Sequence, residues 1–349
     1  MMTVQQMLDL SAQPSLSYRL RLVNRMAWHI TADEASLPLA GDLCRILKLK
    51  PGLPTPGSRL VLICRSEAAP GCSRPLSFVP AATREHSLPR EGWTPEDLGA
   101  LRLWSHDQLP DVICETVGGP GRELDIIRMQ LMLKAVYHGV RQAGGFPLHA
   151  ALVEHEGVGI LLAGQGCAGK STCCRRLPDT WRVLCDDQAL VVPQGSRYVA
   201  HPLPTWSEHF EGNTSLSWEI ESHVPLAAVF FLEQSPTDAV APMGQGRAAS
   251  YVTQLATEVL RCTWRERERL NEATLRKGLF QDASAFAKHV PAYQLRLSLE
   301  GAFWTEMERV LLHVASPGDS PVPADCAEIS GGMAGTCPLP HRIDSFIEP

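Results

Sequence analysis

One short stretch limits what this chain of 349 residues can fold into more than any other feature. Residues 164–171 read GQGCAGKS, which matches the spacing GxxxxGK[ST] of a phosphate-binding loop at every position. The apolar segment Val158 to Ala163 precedes the loop, and a helix start follows it. Glycines let successive backbone N–H groups turn toward one anion, so this strand, loop and helix predict a P-loop fold.

Two side chains of the loop have separate predicted tasks. A P-loop lysine, here Lys170, contacts the β- and γ-phosphates of a nucleotide, and the next hydroxyl, here Ser171, ligates Mg²⁺. We expect Lys170 to be solvated and to contribute little to the core. The predicted ligands are ATP and Mg²⁺, and the predicted nucleotide-binding residues are Gly164, Gln165, Gly166, Cys167, Ala168, Gly169, Lys170, Ser171 and Thr172.

An acidic pair forms the second candidate group. The apolar segment Trp181 to Cys185 is followed directly by Asp186 and Asp187. A P-loop fold places its magnesium-binding or catalytic acid at this point. Adjacent strand residues point to opposite faces, so we expect only one of the two carboxylates to face the phosphates directly. A solvated turn or a helix cap is the alternative.

Composition excludes several classes of protein. With 44% hydrophobic and 20% charged residues the chain is globular, and its net charge of -6 disfavours nucleic acid and anionic membranes as partners. The longest apolar runs, such as Leu226 to Leu232, are too short to span a bilayer. The first residues lack a secretory signal, and the 11 cysteines show no disulfide framework. We therefore expect a cytoplasmic protein.

The pattern along the chain predicts three regions. Residues 1–122 form a separate, smaller α+β domain of unassigned role, and residues 123–314 form the P-loop domain. Residues 315–349, rich in proline and glycine, form a flexible tail. The expected fold class is α/β, a mixed sheet with flanking helices.

Periodicity predicts the individual elements. Helices are expected over 123–142, from the loop to Pro178, over much of 248–290, and over 302–313. Strands are expected over 14–30, 59–64, 148–153, 158–163, 181–185, 189–192, 197–200, 226–232 and 293–299.

Several motifs together resemble the catalytic core of the HPr kinase/phosphorylase family. The order and spacing fit over His149-Ala150, Gly159 to Gly164, the loop through Thr172, and Asp186-Asp187. Three downstream segments resemble the HPr-kinase-related, kinase-like family of the SynChlorMet cassette, which is associated with ribosomal peptide modification: residues 201–207, 229–232 and 290–293. The resemblance covers about residues 140 to 314.

The resemblance implies transfer of a nucleotide γ-phosphate to a serine or threonine of a protein or peptide. By the family pattern Asp187 accepts the hydroxyl proton, Asp186 and Ser171 lie near Mg²⁺, and His149 lies close to the site; the two aspartates could exchange roles. The arginine- and asparagine-rich signature of true HPr kinases has only a weak counterpart in Gly246-Arg247. The resemblance therefore leaves open both phosphorylase activity and HPr as the substrate.

Three functions remain open at this point. The first is a peptide kinase, possible as a homo-oligomer. The second is a nucleotide-responsive binding module that recruits a precursor peptide, and the third is simple nucleotide hydrolysis. The acidic pair favours the kinase, because a pure binder needs no second acid. Trp206 and Ser207 are candidates for a peptide groove, although packing is the commoner role of such a tryptophan.

Overall fold

The computed structural model describes residues 17–65, 92–106, 108–213, 215–261 and 272–314. The predicted strand positions 14–16 and the predicted flexible tail lie outside these residues. The helical expectation over 248–290 is met by two helices, with residues 262–271 between them not described.

The first part of the chain forms a seven-stranded mixed sheet. Its order is β3-β1-β2-β4-β7-β6-β5, with β2, β4 and β7 parallel and the other pairs antiparallel. Helix α1 (Leu37–Ile46) contacts β2. The strands are β1 (Ser17–Arg21), β2 (Ala27–Ala32), β3 (Lys50–Pro51), β4 (Arg59–Arg65), β5 (Trp93–Asp97), β6 (Leu101–His106) and β7 (Val112–Thr116).

The single strand expected over 14–30 is a hairpin instead. Asn24 and Arg25 have φ angles of 58° and 60°, a left-handed conformation that reverses the chain between β1 and β2. The N–H of Leu22 donates to the carbonyl of Met26 at 2.8 Å and closes the turn. Asn adopts this conformation more readily than most residues, so Asn24 is a sequence signal for the turn. The apolar pattern around it makes that signal difficult to recognise.

Helix α2 (Arg122–Gln142) joins the two halves of the molecule and confirms the helix expected over 123–142. Apolar residues are buried on most of its sides, as expected for a helix enclosed by other elements. Arg128 of α2 is buried and donates to the carbonyls of Ala100, Val117 and Gly119. These bonds fix α2 to the end of the first sheet.

The second part of the chain forms a nine-stranded mixed sheet. Its main path is β11-β9-β10-β14-β13-β12-β8, and β16 pairs with both β14 and β15. Strand β14 is parallel to β10 and β16, and the other pairs are antiparallel. The strands are β8 (Phe146–Leu148), β9 (Ala150–His155), β10 (Val158–Ala163), β11 (Arg182–Cys185), β12 (Ala189–Gln194), β13 (Arg197–Pro202), β14 (Val224–Gln234), β15 (Ala239–Pro242) and β16 (Ala292–Leu297).

Helices cover both faces of this sheet. Alternate residues of β10 point to opposite layers, so Leu161 packs with α5 and α6 while Ile160 and Leu162 pack with α3 and α7. The continuous apolar run of β14 is explained in the same way, because both of its faces are buried. The helices are α3 (Lys170–Arg176), α4 (Trp206–Phe210), α5 (Gln245–Arg261), α6 (Glu272–His289) and α7 (Phe303–Val314).

The architecture is therefore mixed α/β, with two mixed sheets and flanking helices. One hydrophobic core runs through α2 and joins residues of the first sheet to one face of the second. Trp206 is 3% exposed and belongs to this core, which confirms a packing role for that side chain. Among the helices of the described segments, none is long and apolar enough to cross a membrane.

Candidate functional site

The phosphate loop lies between β10 and α3, as the sequence predicts. Two of its residues have positive φ angles, 64° at Cys167 and 106° at Gly169. The side-chain amide of Gln234, at the end of β14, donates to the carbonyl of Cys167 at 3.0 Å and holds this strained turn. A Cβ added at Gly166 would meet no atom within 4 Å, so the loop leaves space where a phosphate would lie.

Lys170 differs from the sequence expectation. It is the first residue of α3 and only 6% exposed, so the expected solvated side chain is wrong. Its ammonium donates to the carbonyls of Gly164 at 2.8 Å and Gln165 at 3.1 Å, and lies 2.9 Å from Nε2 of His149. Burial lowers the pKa of Lys170, against the opposing charges of Asp187 and Glu258. The loop carbonyls hold the ammonium directly beneath the phosphate-binding turn.

The two aspartates after β11 have different partners. Oδ1 of Asp187 lies 3.1 Å from Nε2 of His149, and Asp187 lines a pocket together with Lys170. Oδ1 of Asp186 instead accepts a hydrogen bond of 2.6 Å from the buried hydroxyl of Thr205. This divergence agrees with the expectation that only one carboxylate faces the loop.

His149 lies between the end of β8 and the start of β9, where the chain passes from the edge strand β8 to β9, the neighbour of the opposite edge strand β11. Its Nδ1 is 3.3 Å from Oε2 of Glu258 on α5. Burial acts to lower the pKa of His149, but the hydrogen bonds with Asp187 and Glu258 outweigh it, and the pKa is raised overall. The ring therefore connects two carboxylates and one ammonium.

Glu258 is a site residue that sequence reasoning misses. It is one acid in the long amphipathic pattern of α5, and nothing in the local sequence distinguishes it from a solvated helix residue. Burial acts to raise its pKa, but the hydrogen bond and charge of His149 and the amides of Gln165 and Gln254 lower it overall. Only the packing of α5 against the sheet brings it to the loop.

His149, Lys170 and Asp187 border a pocket of about 640 Å³, which Glu258 does not line. Of the predicted nucleotide-binding residues, Gly164, Gln165 and Ala168 do not line it, and neither does Asp186. The end of β14, the loop after it and the end of β16 add a wall that the sequence analysis did not include. The lining residues are His149, Gly166, Cys167, Gly169, Lys170, Ser171, Thr172, Arg176, Asp187, Gln234, Ser235, Pro236, Leu297 and Leu299.

Comparisons with known proteins give one family. Residues 112–312 match the family model described as SynChlorMet cassette protein ScmC. No curated protein matches the chain. Among solved structures, the Hpr(Ser) kinase/phosphatase from Coxiella burnetii aligns with 49% of this chain and 99% of its own, at 10% identity and a TM-score of 0.26.

Proposed function

We propose that this chain, which belongs to the family of the SynChlorMet cassette protein ScmC, is an ATP- and Mg²⁺-dependent phosphotransferase that phosphorylates a serine or threonine of a peptide or small protein. One observation carries the proposal. The carboxylate of Asp187 lines the same pocket as Lys170 and Ser171, and a histidine with a raised pKa holds it there. The activity is assigned to residues 123–314, and residues 1–122 have no assigned role.

The loop residues fit a nucleotide phosphate. The inner face of the loop is open, because there is space beside Gly166 and Gly169 has a positive φ. The ammonium of Lys170 supplies a full positive charge next to this face. Phosphate oxygens are stronger acceptors for an ammonium than neutral carbonyls. Lys170 and the loop would therefore hold the β- and γ-phosphates of ATP.

The residues present also fit Mg²⁺. No cluster of three or more His, Cys, Asp or Glu suited to a metal occurs in the described part of the chain. Mg²⁺ commonly needs only one or two protein ligands, because phosphate oxygens and water complete its shell. The hydroxyl of Ser171 lines the pocket and would hold it, and Mg²⁺ would neutralise phosphate charge there. Asp186, the second ligand that the resemblance implies, lies outside the pocket lining and accepts from Thr205 in this structure.

Asp187 is the proposed base. Its carboxylate accepts the proton of the acceptor hydroxyl, whose oxygen forms a bond to the γ-phosphorus of ATP while the bond to the β–γ bridging oxygen breaks and ADP leaves. His149 with its raised pKa keeps the Asp187 carboxylate in position. A ribosomal precursor peptide is the acceptor that the sequence resemblance implies.

The test is mass spectrometry of phosphopeptides after incubation of the full chain with ATP, Mg²⁺ and a degenerate library of serine- and threonine-containing peptides. The peptides encoded beside the gene are included. Nucleotide affinity is measured by calorimetry on the same proteins. Asp187→Asn keeps the shape of the side chain but removes the basic carboxylate, so we expect transfer to fall by about 10²- to 10⁴-fold while ATP binding survives.

Asp179→Asn is the matched control, because Asp179 is an exposed carboxylate in the turn before β11. It should transfer phosphate like the wild type. Undiminished transfer in both Asp187→Asn and Asp186→Asn would remove the acidic pair from the mechanism. Loss in Asp186→Asn alone would mean that the two aspartates have exchanged roles.

A further inference from the structure

The ring of His149 has more partners than it has ring nitrogens. Nδ1 faces Oε2 of Glu258 at 3.3 Å. Nε2 lies 2.9 Å from the ammonium of Lys170 and 3.1 Å from the carboxylate of Asp187. One nitrogen therefore lies within hydrogen-bond distance of both a cation and an anion.

Nε2 cannot satisfy both partners in one protonation state. An ammonium only donates and a carboxylate only accepts, so a bare Nε2 suits Lys170 and a protonated Nε2 suits Asp187. Lys170 has two loop carbonyls as further acceptors and can give up the ring. The proton on Nε2 therefore decides whether His149 bonds to the phosphate-loop lysine or to the proposed base.

This choice requires that Nδ1 keeps its proton. An ionised Glu258 only accepts, so its bond to the ring stabilises Nδ1–H in both the neutral and the charged form of His149. Without this bond, the neutral ring could carry its proton on Nε2 instead of Nδ1. Nε2 would then donate to Asp187 already in the neutral form of the ring. The lowered pKa of Glu258 agrees with an ionised carboxylate at neutral pH.

Glu258 also contacts the loop itself. Its Oε1 accepts from the amide of Gln165 at 3.2 Å and lies 3.5 Å from the amide of Gln254. The two oxygens of one carboxylate thus connect the histidine and the phosphate loop to the same helix. The side chain is 32% exposed, so its charge carries a modest burial cost.

We propose that Glu258 is a positioning residue that holds the Nδ1–H form of His149 and so reserves Nε2 for exchange between Lys170 and Asp187. The proposal deepens the proposed phosphotransfer and rests on it for its kinetic consequence. Its structural content, the tautomer of His149, is independent of any activity.

The first measurement is ¹⁵N NMR of histidine-labelled full chain without nucleotide, at a pH where the His149 ring is neutral. The signals of His149 are identified by their loss in His149→Gln. We expect a protonated Nδ1 and a bare Nε2 in the wild type. In Glu258→Gln the neutral ring should shift toward the Nε2–H form, because Asp187 still accepts there and the new amide can donate to Nδ1.

The second measurement is steady-state phosphotransfer. Glu258→Gln should lower kcat by about 10- to 100-fold. This loss is typical of removing a hydrogen bond that supports a site residue and is smaller than the loss expected on removing the base itself. The KM for ATP should stay close to the wild-type value, because Lys170 and Ser171 are unchanged. Glu258→Asp keeps a carboxylate that only accepts hydrogen bonds, so it should retain part of both kcat and the Nδ1–H signal. If Glu258→Gln does not fold, Glu258→Asp is measured in its place.

Glu308→Gln is the matched control. Glu308 is a helix carboxylate that is 34% exposed and lies 4.0 Å from His155, and it accepts from the indole of Trp181. It should leave kcat and the His149 signals unchanged.

Two results overturn the proposal: an unchanged His149 tautomer in Glu258→Gln, or an equal loss of kcat in Glu308→Gln. If the wild type transfers no phosphate, the proposed function fails, and the NMR result alone decides the role of Glu258.

Discussion

A buried ion pair in the first sheet and a partly exposed group of charges beside the second sheet are built differently. In the first sheet, Arg102 and Glu115 are 5% and 2% exposed and form an ion pair of 2.9 Å. The indole N–H of Trp104 donates to the same carboxylate oxygen at 3.0 Å. In the second sheet, Lys170, His149, Asp187 and Glu258 share contacts around one imidazole ring.

The two groups differ in whether each charged side chain has one matched partner or several competing ones. The Arg102–Glu115 pair joins neighbouring strands, matches one cation to one anion, and does not line the phosphate-loop pocket. His149, Lys170 and Asp187 line that pocket, and Nε2 of His149 has two partners that compete. A matched buried pair serves the fold, whereas a group with competing contacts beside a pocket can change partners when a ligand binds.

The largest effect expected is on the matched pair. Glu115→Gln leaves the guanidinium of Arg102 buried without its anion, so the free energy of unfolding should fall by about 3–5 kcal/mol. Denaturant unfolding measures this, and ATP affinity of the folded fraction should not change. Glu233→Gln is the control, because its ion pair with Arg296 is exposed and should contribute less than about 0.5 kcal/mol. If Glu115→Gln lowers the free energy of unfolding by less than about 1 kcal/mol, the buried pair does not have the structural role assigned to it.

His201 is a useful contrast with His149, because it is fully buried and its ring contacts a backbone carbonyl rather than a carboxylate within the described residues. Its Nδ1 lies 2.9 Å from the carbonyl of Ile220, and Nε2 has no hydrogen-bond partner within the described residues. Burial lowers its pKa to about 4 from the ordinary 6.5, with a smaller contribution from His223.

The unfolded chain therefore binds a proton at His201 that the folded chain excludes. The free energy of unfolding should be unaffected by His201 above pH 6.5 and should fall as the pH drops from 6.5 to about 4, by about 3 kcal/mol in all. His201→Gln keeps a donor for Ile220 and should flatten this part of the pH profile. Equal profiles in the two proteins would show that His201 binds its proton as readily in the folded chain as in the unfolded chain, which would contradict the lowered pKa.

The smallest effect concerns Lys170 and separates binding from stability. Lys170→Ala should weaken ATP–Mg²⁺ binding by roughly 10- to 100-fold, the contribution of a hydrogen bond to a charged group. Stability should change less than affinity, because burial opposes the charged ammonium and lowers its pKa, although the carbonyls of Gly164 and Gln165 lose this donor. Calorimetry and thermal unfolding of the two proteins check this. Equal ATP affinity would contradict the assignment of the loop.

The loop and the second sheet could be predicted because their signals are local. The strand expected over 158–163 and the helix expected from residue 123 agree with β10 and α2 to within one residue. Asp186 and Asp187 directly follow β11, and their different partners agree with the alternation expected for strand residues. The hairpin at Asn24 was missed, because one turn residue within an apolar pattern is a weak signal.

The rest of the site depends on contacts between distant parts of the chain. Glu258 lies 109 positions from His149, and no local pattern shows that α5 packs over the loop. The sequence predicts one strand over 148–153, because the residues on both sides of the break at His149 are apolar. The burial of Lys170 follows from loop carbonyls that fold back onto it, which spacing does not encode.

The most direct test of the central claim is the fate of the γ-phosphate. The full chain is incubated with γ-labelled ATP, Mg²⁺ and the serine- and threonine-containing peptides, and the label is quantified on peptide, inorganic phosphate and remaining ATP. We expect label on a peptide hydroxyl with the wild type and no labelled peptide with Asp187→Asn. Label released only as inorganic phosphate, or retained in ATP while peptide binds, would contradict it.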